Sequence, residues 1–234
     1  MSNPVNFISG RLIKRYKRFF ADVKLDSGEV VTAHCPNTGS MMGLLTEGNI
    51  VYLSKTDNEK RKLKYTLEII RDEDASVGVN THRANRIVEE AIIEKKITTL
   101  GKKYDFRREV KYGTNSRIDF LITNKKGEEI FVEVKNVTLS KRKGVAEFPD
   151  AITERGSKHL LELIDVVKKN KRAIMLFLIQ RNDCKKFRIA EEIDSIYKKN
   201  IVKAKKAGVE ILCYSCSFIR NKIELDKKIK FIDK

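Results

Sequence analysis

Apolar residues recur at every second position through the first third of the chain and at every third or fourth position in several later segments. In "RFFADVKLDSGEVVTAHC", Phe19, Ala21, Val23 and Leu25 fall on one face of an extended run, Asp26-Ser27-Gly28 carries turn chemistry, and "EVVTAH" returns. Phe19 is therefore expected in a core. A turn-rich "PNTGSMMGL" and two more strand-like runs, "NIVYLSK" and "LKYTLEII", follow. Five or so short strands in about 70 residues predict a small closed or half-closed barrel, of which the oligonucleotide-binding (OB) barrel is one form.

Near residue 80 the period changes. "THRANRIVEEAIIEKK" places Ala84, Ile87, Val88, Ala91 and Ile92 at helical spacing, with Asn80 or Thr81 available as a cap. Strands are expected at about 105–112, 117–122 and 129–135. A helix then starts just after Pro149, with Asp150 as a plausible cap and Ile152, Gly156, His159 and Leu163 on one face. A buried strand "AIMLFLI", a basic helix at 192–207 ended by Gly208, and a strand "VEILCYS" complete the series. The order predicts a two-domain α/β protein, with a barrel over residues 1–80 and a mixed sheet flanked by helices over 81–234.

The 234 residues are enough to bury a core without staples. The strongest apolar run falls well short of the roughly 20 residues that cross a bilayer. The start, "MSNPVNFISGRL", lacks the basic and apolar segments of a secretory signal. A soluble cytoplasmic protein with no membrane partner is expected. Four cysteines, Cys35, Cys184, Cys213 and Cys216, are too few for a disulfide scaffold at this size. Cys213 and Cys216 have zinc-like spacing but no second pair, and on a strand their thiols diverge. Neither a glycine-rich phosphate cradle, a GxSxG elbow nor an HExxH helix is present.

The net charge of +17 points to a polyanionic partner such as nucleic acid. A lysine-rich composition also accompanies thermal adaptation, so charge alone does not decide. Residues 1–80 hold 12 basic and 10 acidic side chains, whereas 81–234 hold 37 and 22, so most of the field belongs to the second part.

That second part carries three ionisable residues in apolar strands, Asp119 in "RIDFLI" and Glu133 and Lys135 in "IFVEVK". A buried unpaired charge costs several kcal/mol, so such charges call for a partner, a metal or a task. Glu133 and Lys135 share one strand face, and pairing the two strands through "TNKKGEE" can bring Asp119 beside Glu133. Two carboxylates suit Mg²⁺, with Mn²⁺ as an alternative, since a hard ion takes one or two of them and keeps several waters. Lys135 could then position a water or meet charge developing on a phosphate, and the implied chemistry is metal-assisted phosphodiester hydrolysis.

Asp119, thirteen intervening residues, then Glu133-Val134-Lys135 on adjacent strands after a helix resembles the PD-(D/E)XK nuclease core. Acid-any-lysine alone occurs six times in the chain, so the strand and helix context carries the resemblance. In order, "RYKRFFADV", "HCPNTGSM", "GVNTHRANRIVEEAI", "VKYGTNSRIDFLI", "VEVKNVTL" and "FPDAITERGSKHLLEL" resemble the sugar fermentation stimulation protein family. That resemblance implies an OB-like domain, a nuclease-like domain, non-specific binding of DNA in preference to RNA, and a regulatory role in sugar, particularly maltose, metabolism. It also implies Asp119 and Glu133 as metal-site acids, Lys135 as the site lysine, and Glu90 rather than Glu89 as the helix glutamate. A solvated helix face is the alternative for Glu90.

Arg155, Lys158 and His159 on the following helix are candidate phosphate contacts, with structural pairing as the alternative. Arg11, Lys14, Arg15 and Arg18 are also candidates, because they surround Tyr16, Phe19 and Phe20 in the mixture that meets single strands. His34 and Cys35 point to opposite strand faces, so no cysteine nucleophile is expected there, and "HCPNTGSM" reads as turn structure. The oligomeric state stays open, a homodimer included.

Overall fold

A computed structural model describes residues 6–73, 75–113, 115–219 and 222–233. The alternating first third becomes six strands: β1 Ile8–Tyr16, β2 Phe20–Leu25, β3 Val30–His34, β4 Ile50–Lys55, β5 Tyr65–Asp72 and β6 Ala75–Gly78. They lie in the order β3-β2-β1-β4-β5-β6, and a parallel β3–β5 pairing closes the first five into a barrel. Closure needs β1 to serve two partners. A register shift between Leu12 and Lys14 bends it, so that Ile8 to Arg11 pair with β4 and Gly10 to Tyr16 with β2. Leu12, Ala21, Val23, Val51, Leu53 and Leu67 fill the interior.

Phe19 departs from expectation. Lys17 and Arg18 have φ of 48° and 63°, so the β1–β2 hairpin turns through them and leaves the Phe19 ring 46% exposed. Burial in β2 begins at Ala21.

The later elements are α1 Arg83–Ile93, β7 Tyr104–Tyr112, β8 Ser116–Asn124, β9 Glu129–Val137, β10 Leu139–Arg142, β11 Val145–Phe148, α2 Glu154–Lys168, β12 Arg172–Ile179, β13 Lys186–Ile189, α3 Ser195–Ala207, β14 Glu210–Ile219, β15 Lys222–Lys228 and β16 Lys230–Phe231. A six-stranded mixed sheet runs β15-β14-β12-β9-β8-β7, with β12 parallel to both β9 and β14. Alternate residues of β9 and β12 feed two cores. Val132, Val134, Ile174 and Leu176 pack with α1, while Phe131, Met175 and Phe177 pack with α2 and α3. Cys213 and Cys216 are buried in different cores, which removes any shared metal. A small sheet, β10-β11-β13-β16, is built from strands of four residues or fewer that the periodicity did not reveal.

Helix caps differ in detail from expectation. Asp150 does not cap α2; Thr153 does, its hydroxyl accepting from the Gly156 N–H at 3.1 Å. Ile152 precedes the helix and is 75% exposed instead of sharing its inner face. For α1 the cap position is His82, which makes no side-chain cap bond. Asn80 Oδ1 accepts from the His82 N–H, and the Thr81 hydroxyl donates to the Pro36 carbonyl at 2.7 Å, tying the barrel to the helix. Asp194 caps α3 and Gly208, at φ 103°, ends it. Among the described residues no helix is long and apolar enough to cross a membrane.

Barrel and mixed sheet meet at Gly78, whose N–H donates to the Gln180 carbonyl at 2.8 Å. Gln180 is fully buried and donates through Nε2 to Asn136 Oδ1 at 2.6 Å. A Cβ on Gly78 would stand 2.5 Å from Gln180 Oε1 and 3.3 Å from its Cβ. Gly78→Ala is therefore expected to cost about 1–3 kcal/mol through overpacking of this seam. Urea unfolding checks it, and an unchanged midpoint would show that the seam adjusts freely.

Candidate active site

The antiparallel β8–β9 ladder runs from Thr123/Glu129 to Phe120/Val132 and goes no further. Beyond that point the Asp119 carboxylate replaces the ladder: Oδ2 accepts from the Val134 N–H at 2.7 Å. Its other oxygen accepts from Asn85 Nδ2 of α1, also at 2.7 Å. On the α2 side, Glu133 is 3% exposed. Its Oε1 accepts from Lys135 Nζ at 2.7 Å and from His159 Nδ1. Arg155 Nε donates to His159 Nε2 at 3.4 Å, a pattern that leaves the ring proton on Nδ1 to face Glu133. Asp119, Glu133, Lys135, His159 and Arg155 thus converge where two strands part between α1 and α2.

The electrostatics are uneven. Burial works against the Glu133 charge, but the His159 hydrogen bond and the nearby Lys135 ammonium outweigh it and hold the carboxyl below its usual range. Asp119 moves the other way: burial first, then the charge of Glu133, push it up to about 6. The buried phenols of Tyr112 and Tyr197 are raised by burial and then by the charge of Glu133.

Glu133 Oε2 is buried with no partner among the described residues. Nor do three His, Cys, Asp or Glu side chains there group to hold a metal. Two carboxylates with one buried, unmatched oxygen fit a hard divalent ion that retains waters, and do not fit an ion that needs a full protein cage.

The other candidates are dispersed. Glu90 lies 3.3 Å from Arg86 and 3.9 Å from Lys222, and Glu89 pairs with Arg108 at 2.7 Å. Lys158 is 3.7 Å from Glu162. Arg11 donates to the Gly48 carbonyl at 3.0 Å, and Lys14 lies 3.9 Å from Asp22. Arg15 serves the loop: one amino group meets the carbonyls of Arg18, Asn37 and Gly39 at 3.0, 2.7 and 3.1 Å. Arg18 lines a cleft of about 360 Å³ with Asn37–Gly39, Thr81, Asn136–Leu139 and Phe148–Thr153. Three of the unusual sequence segments, "HCPNTG", "NVTL" and "FPDAIT", therefore meet in one groove, whose lining on β9 begins at Asn136, the chain neighbour of Lys135. Asn85 was not among the sequence candidates; its presence in "VNTHRANR" was visible, its reach to Asp119 was not.

Comparison with known proteins places these features in a family. A family model described as the SfsA N-terminal OB domain matches residues 13–79, and one described as the sugar fermentation stimulation protein RE domain matches residues 82–222. A sugar fermentation stimulation protein homolog of Pelagibacter ubique is 53% identical, covering 97% of each chain, and one of Maricaulis maris is 50% identical, covering 92% of each. SfsA of Pyrococcus furiosus, solved in complex with Ca²⁺, has a TM-score of 0.87 at 26% identity, covering 97% of this chain and 96% of that one. The barrel is an OB domain, the mixed sheet is restriction-endonuclease-like, and the chain belongs to the sugar fermentation stimulation protein family.

Proposed function

We propose that this protein binds nucleic acid without sequence preference, DNA ahead of RNA, and hydrolyses phosphodiesters at Asp119, Glu133 and Lys135 with Mg²⁺, for which Mn²⁺ substitutes. The observation that carries the reading is the meeting of a half-buried carboxylate, a buried one and a lysine where β8 and β9 part, with Glu133 Oε2 unmatched. The excess positive charge of residues 81–234 and the cleft beside Lys135 support it. So does the Ca²⁺ complex of the Pyrococcus furiosus relative, because Ca²⁺ and Mg²⁺ are both oxygen-seeking ions. A bound ion supplies a polarised phosphate and a water of lowered pKa.

The chain's residues do the rest. Asp119 and Glu133 would hold the ion, with Asn85 and His159 fixing them, and Lys135 would orient a water and meet charge on the phosphate. Arg155 and Lys158 approach the backbone from α2, while His159, 4% exposed with both ring nitrogens engaged, serves the site through Glu133 instead of as the phosphate contact expected of it; Arg11, Lys14 and Arg18 approach from the barrel, and Arg15 acts through the loop it holds. Glu90, the catalytic candidate of α1, lies instead beside Arg86 and Lys222. The division of labour between residues 1–80 and 81–234, and a cytoplasmic location, belong to the same proposal.

End-labelled single- and double-stranded DNA and RNA, incubated with Mg²⁺, Mn²⁺ or EDTA, provide the test. Cleavage in Mg²⁺ is expected to vanish in EDTA and to fall at least about a hundredfold in Lys135→Ala. Binding should weaken linearly in log–log form as salt rises, as counterion release requires. A second reading has one observation in its favour: Lys135, Glu133 and His159 already form a closed hydrogen-bonded group. On that reading the protein is a DNA-binding regulator of sugar-metabolism genes that does not cut, and salt-sensitive binding with no cleavage of any substrate would select it.

A further inference from the structure

A cavity of about 410 Å³ lies where the end of β3 meets the start of α1, outside the site described above. Glu68 lines it, is 2% exposed, and has its charge fully answered. Arg83 Nη2 and the Ser54 hydroxyl donate to Oε1 at 2.8 and 2.6 Å, and Arg83 Nε and Asn80 Nδ2 donate to Oε2 at 2.5 and 2.9 Å. No negative charge is left for the three other basic groups around the hollow.

Those groups are His34, Arg61 and His82. Arg61 spends one amino group on a neutral partner, the Thr66 hydroxyl at 3.1 Å, and among the described residues it forms no ion pair. Neither imidazole forms a side-chain hydrogen bond to a described residue. Burial, then the charges of Arg61 and His82, lower the pKa of His34, the response of a base among uncompensated positive groups. The hydroxyls of Ser54 and Thr66 complete a wall suited to phosphate oxygens.

The cavity is also placed to serve the active site. Pro36, Asn80 and His82 line it, whereas their chain neighbours Asn37 and Thr81 line the cleft beside Lys135. The two hollows therefore flank the Pro36–Thr81 hydrogen bond. His82 stands three residues before Asn85, the partner of Asp119, which is about 4.5 Å along the α1 axis and on a shared face.

We propose that His34, Arg61 and His82 form a phosphate subsite that anchors a nucleic-acid backbone one or two nucleotides from the phosphodiester at Asp119 and Glu133. The subsite rests on the nucleic-acid reading above and adds the anchor that sets where along a strand the site acts.

The chain has three histidines, two in this cavity and one in the active site, so its imidazole C–H NMR signals separate the two places. Signals are assigned with His34→Gln, His82→Gln and His159→Gln. A ten-nucleotide single-stranded DNA added in EDTA is expected to shift the His34 and His82 signals. Ca²⁺ added without DNA is expected to move His159 alone. His34→Gln, Arg61→Gln and His82→Gln combined should weaken DNA binding about tenfold or more and reduce the salt slope by about 0.7 for each phosphate no longer neutralised, with Ca²⁺ affinity unchanged. The unchanged Ca²⁺ affinity shows that the triple variant is folded, and Arg61→Lys, which keeps the charge, should retain most of the binding.

DNA that binds at wild-type affinity to the triple variant, with His34 and His82 unmoved in the parent, would overturn the subsite and leave the nucleic-acid reading standing. DNA that fails to bind the parent protein would overturn both. Inorganic phosphate that shifts the two signals when DNA does not would replace the backbone subsite with a site for free phosphate.

Discussion

Alanine in place of Glu147 is expected to lower the thermal midpoint by about 6–12 °C, from a destabilisation of about 3 kcal/mol. Glu147 is 1% exposed and stands opposite Arg188 in the parallel β11–β13 pair. Its Oε1 accepts from Arg188 Nε at 2.7 Å and its Oε2 from the Lys141 N–H at 3.0 Å, so truncation strands a buried guanidinium and a backbone donor together. Glu192, which also meets Arg188, is 47% exposed at its side chain and is too well solvated to replace the missing charge. The same electrostatics has a second, less obvious consequence. Glu147→Leu combined with Arg188→Met should be less damaging than Glu147→Ala alone, because replacing both members removes two desolvated charges where removing one leaves its partner uncompensated. Calorimetric melts of the parent and both variants check this, and a double variant as unstable as the single one would move the cause from charge to packing. Glu147 also lines the cleft beside Lys135, so the pair holds one wall of the groove through which a strand would pass.

That pair illustrates what sequence reading does and does not reach. The nearness of Asp119 and Glu133 is legible because a short turn joins their strands and side chains alternate; each step is local. The Glu147–Arg188 contact spans 41 positions and depends on two four-residue strands with no periodicity of their own. Asn85 is hidden for a related reason: its helix and the Asp119 strand meet only once the sheet has formed. At the α2 start, "DAIT" offers two capping side chains, and nothing local distinguishes Asp150 from Thr153, which the structure selects. Phe19 misleads because Lys17 and Arg18 adopt left-handed backbone without the glycine or asparagine that usually signals it. Barrel closure, by contrast, is foreshadowed by five alternating runs, although the pairing of β3 with β5 that completes it is not.

Asp119→Asn is expected to stabilise the protein when no divalent ion is present and to lose that advantage when one is bound. Without an ion, burial and the charge of Glu133 push the Asp119 carboxyl up to about 6, above its ordinary 3.8. Between those values the folded chain holds a proton that the unfolded chain has released, so stability falls as pH rises from about 4 to about 6 and is level above it. Asparagine has no charge to bury, keeps an oxygen for the Val134 N–H and, with the Asn85 amide turned, donates its own Nδ2 to Asn85 Oδ1. In EDTA at pH 7 the variant should therefore be more stable than the parent by about 2–3 kcal/mol, with no difference near pH 4. Saturating ion closes that gap. At a hundred times its dissociation constant a ligand adds about 2.7 kcal/mol to the parent, whereas the variant, short of one of two carboxylates, should bind at least about a hundredfold more weakly and gain almost nothing. Melts at pH 4, 5 and 7, in EDTA and in Ca²⁺ or Mg²⁺, read all of this from one pair of proteins. A variant stabilised in EDTA but still raised by the ion as much as the parent would remove Asp119 from the ion site while leaving its titration as described. A variant less stable than the parent in EDTA at pH 7 would instead mean that Asp119 is held charged by its hydrogen bonds to Asn85 and Val134, and that a strained acid is not the source of the ion's affinity.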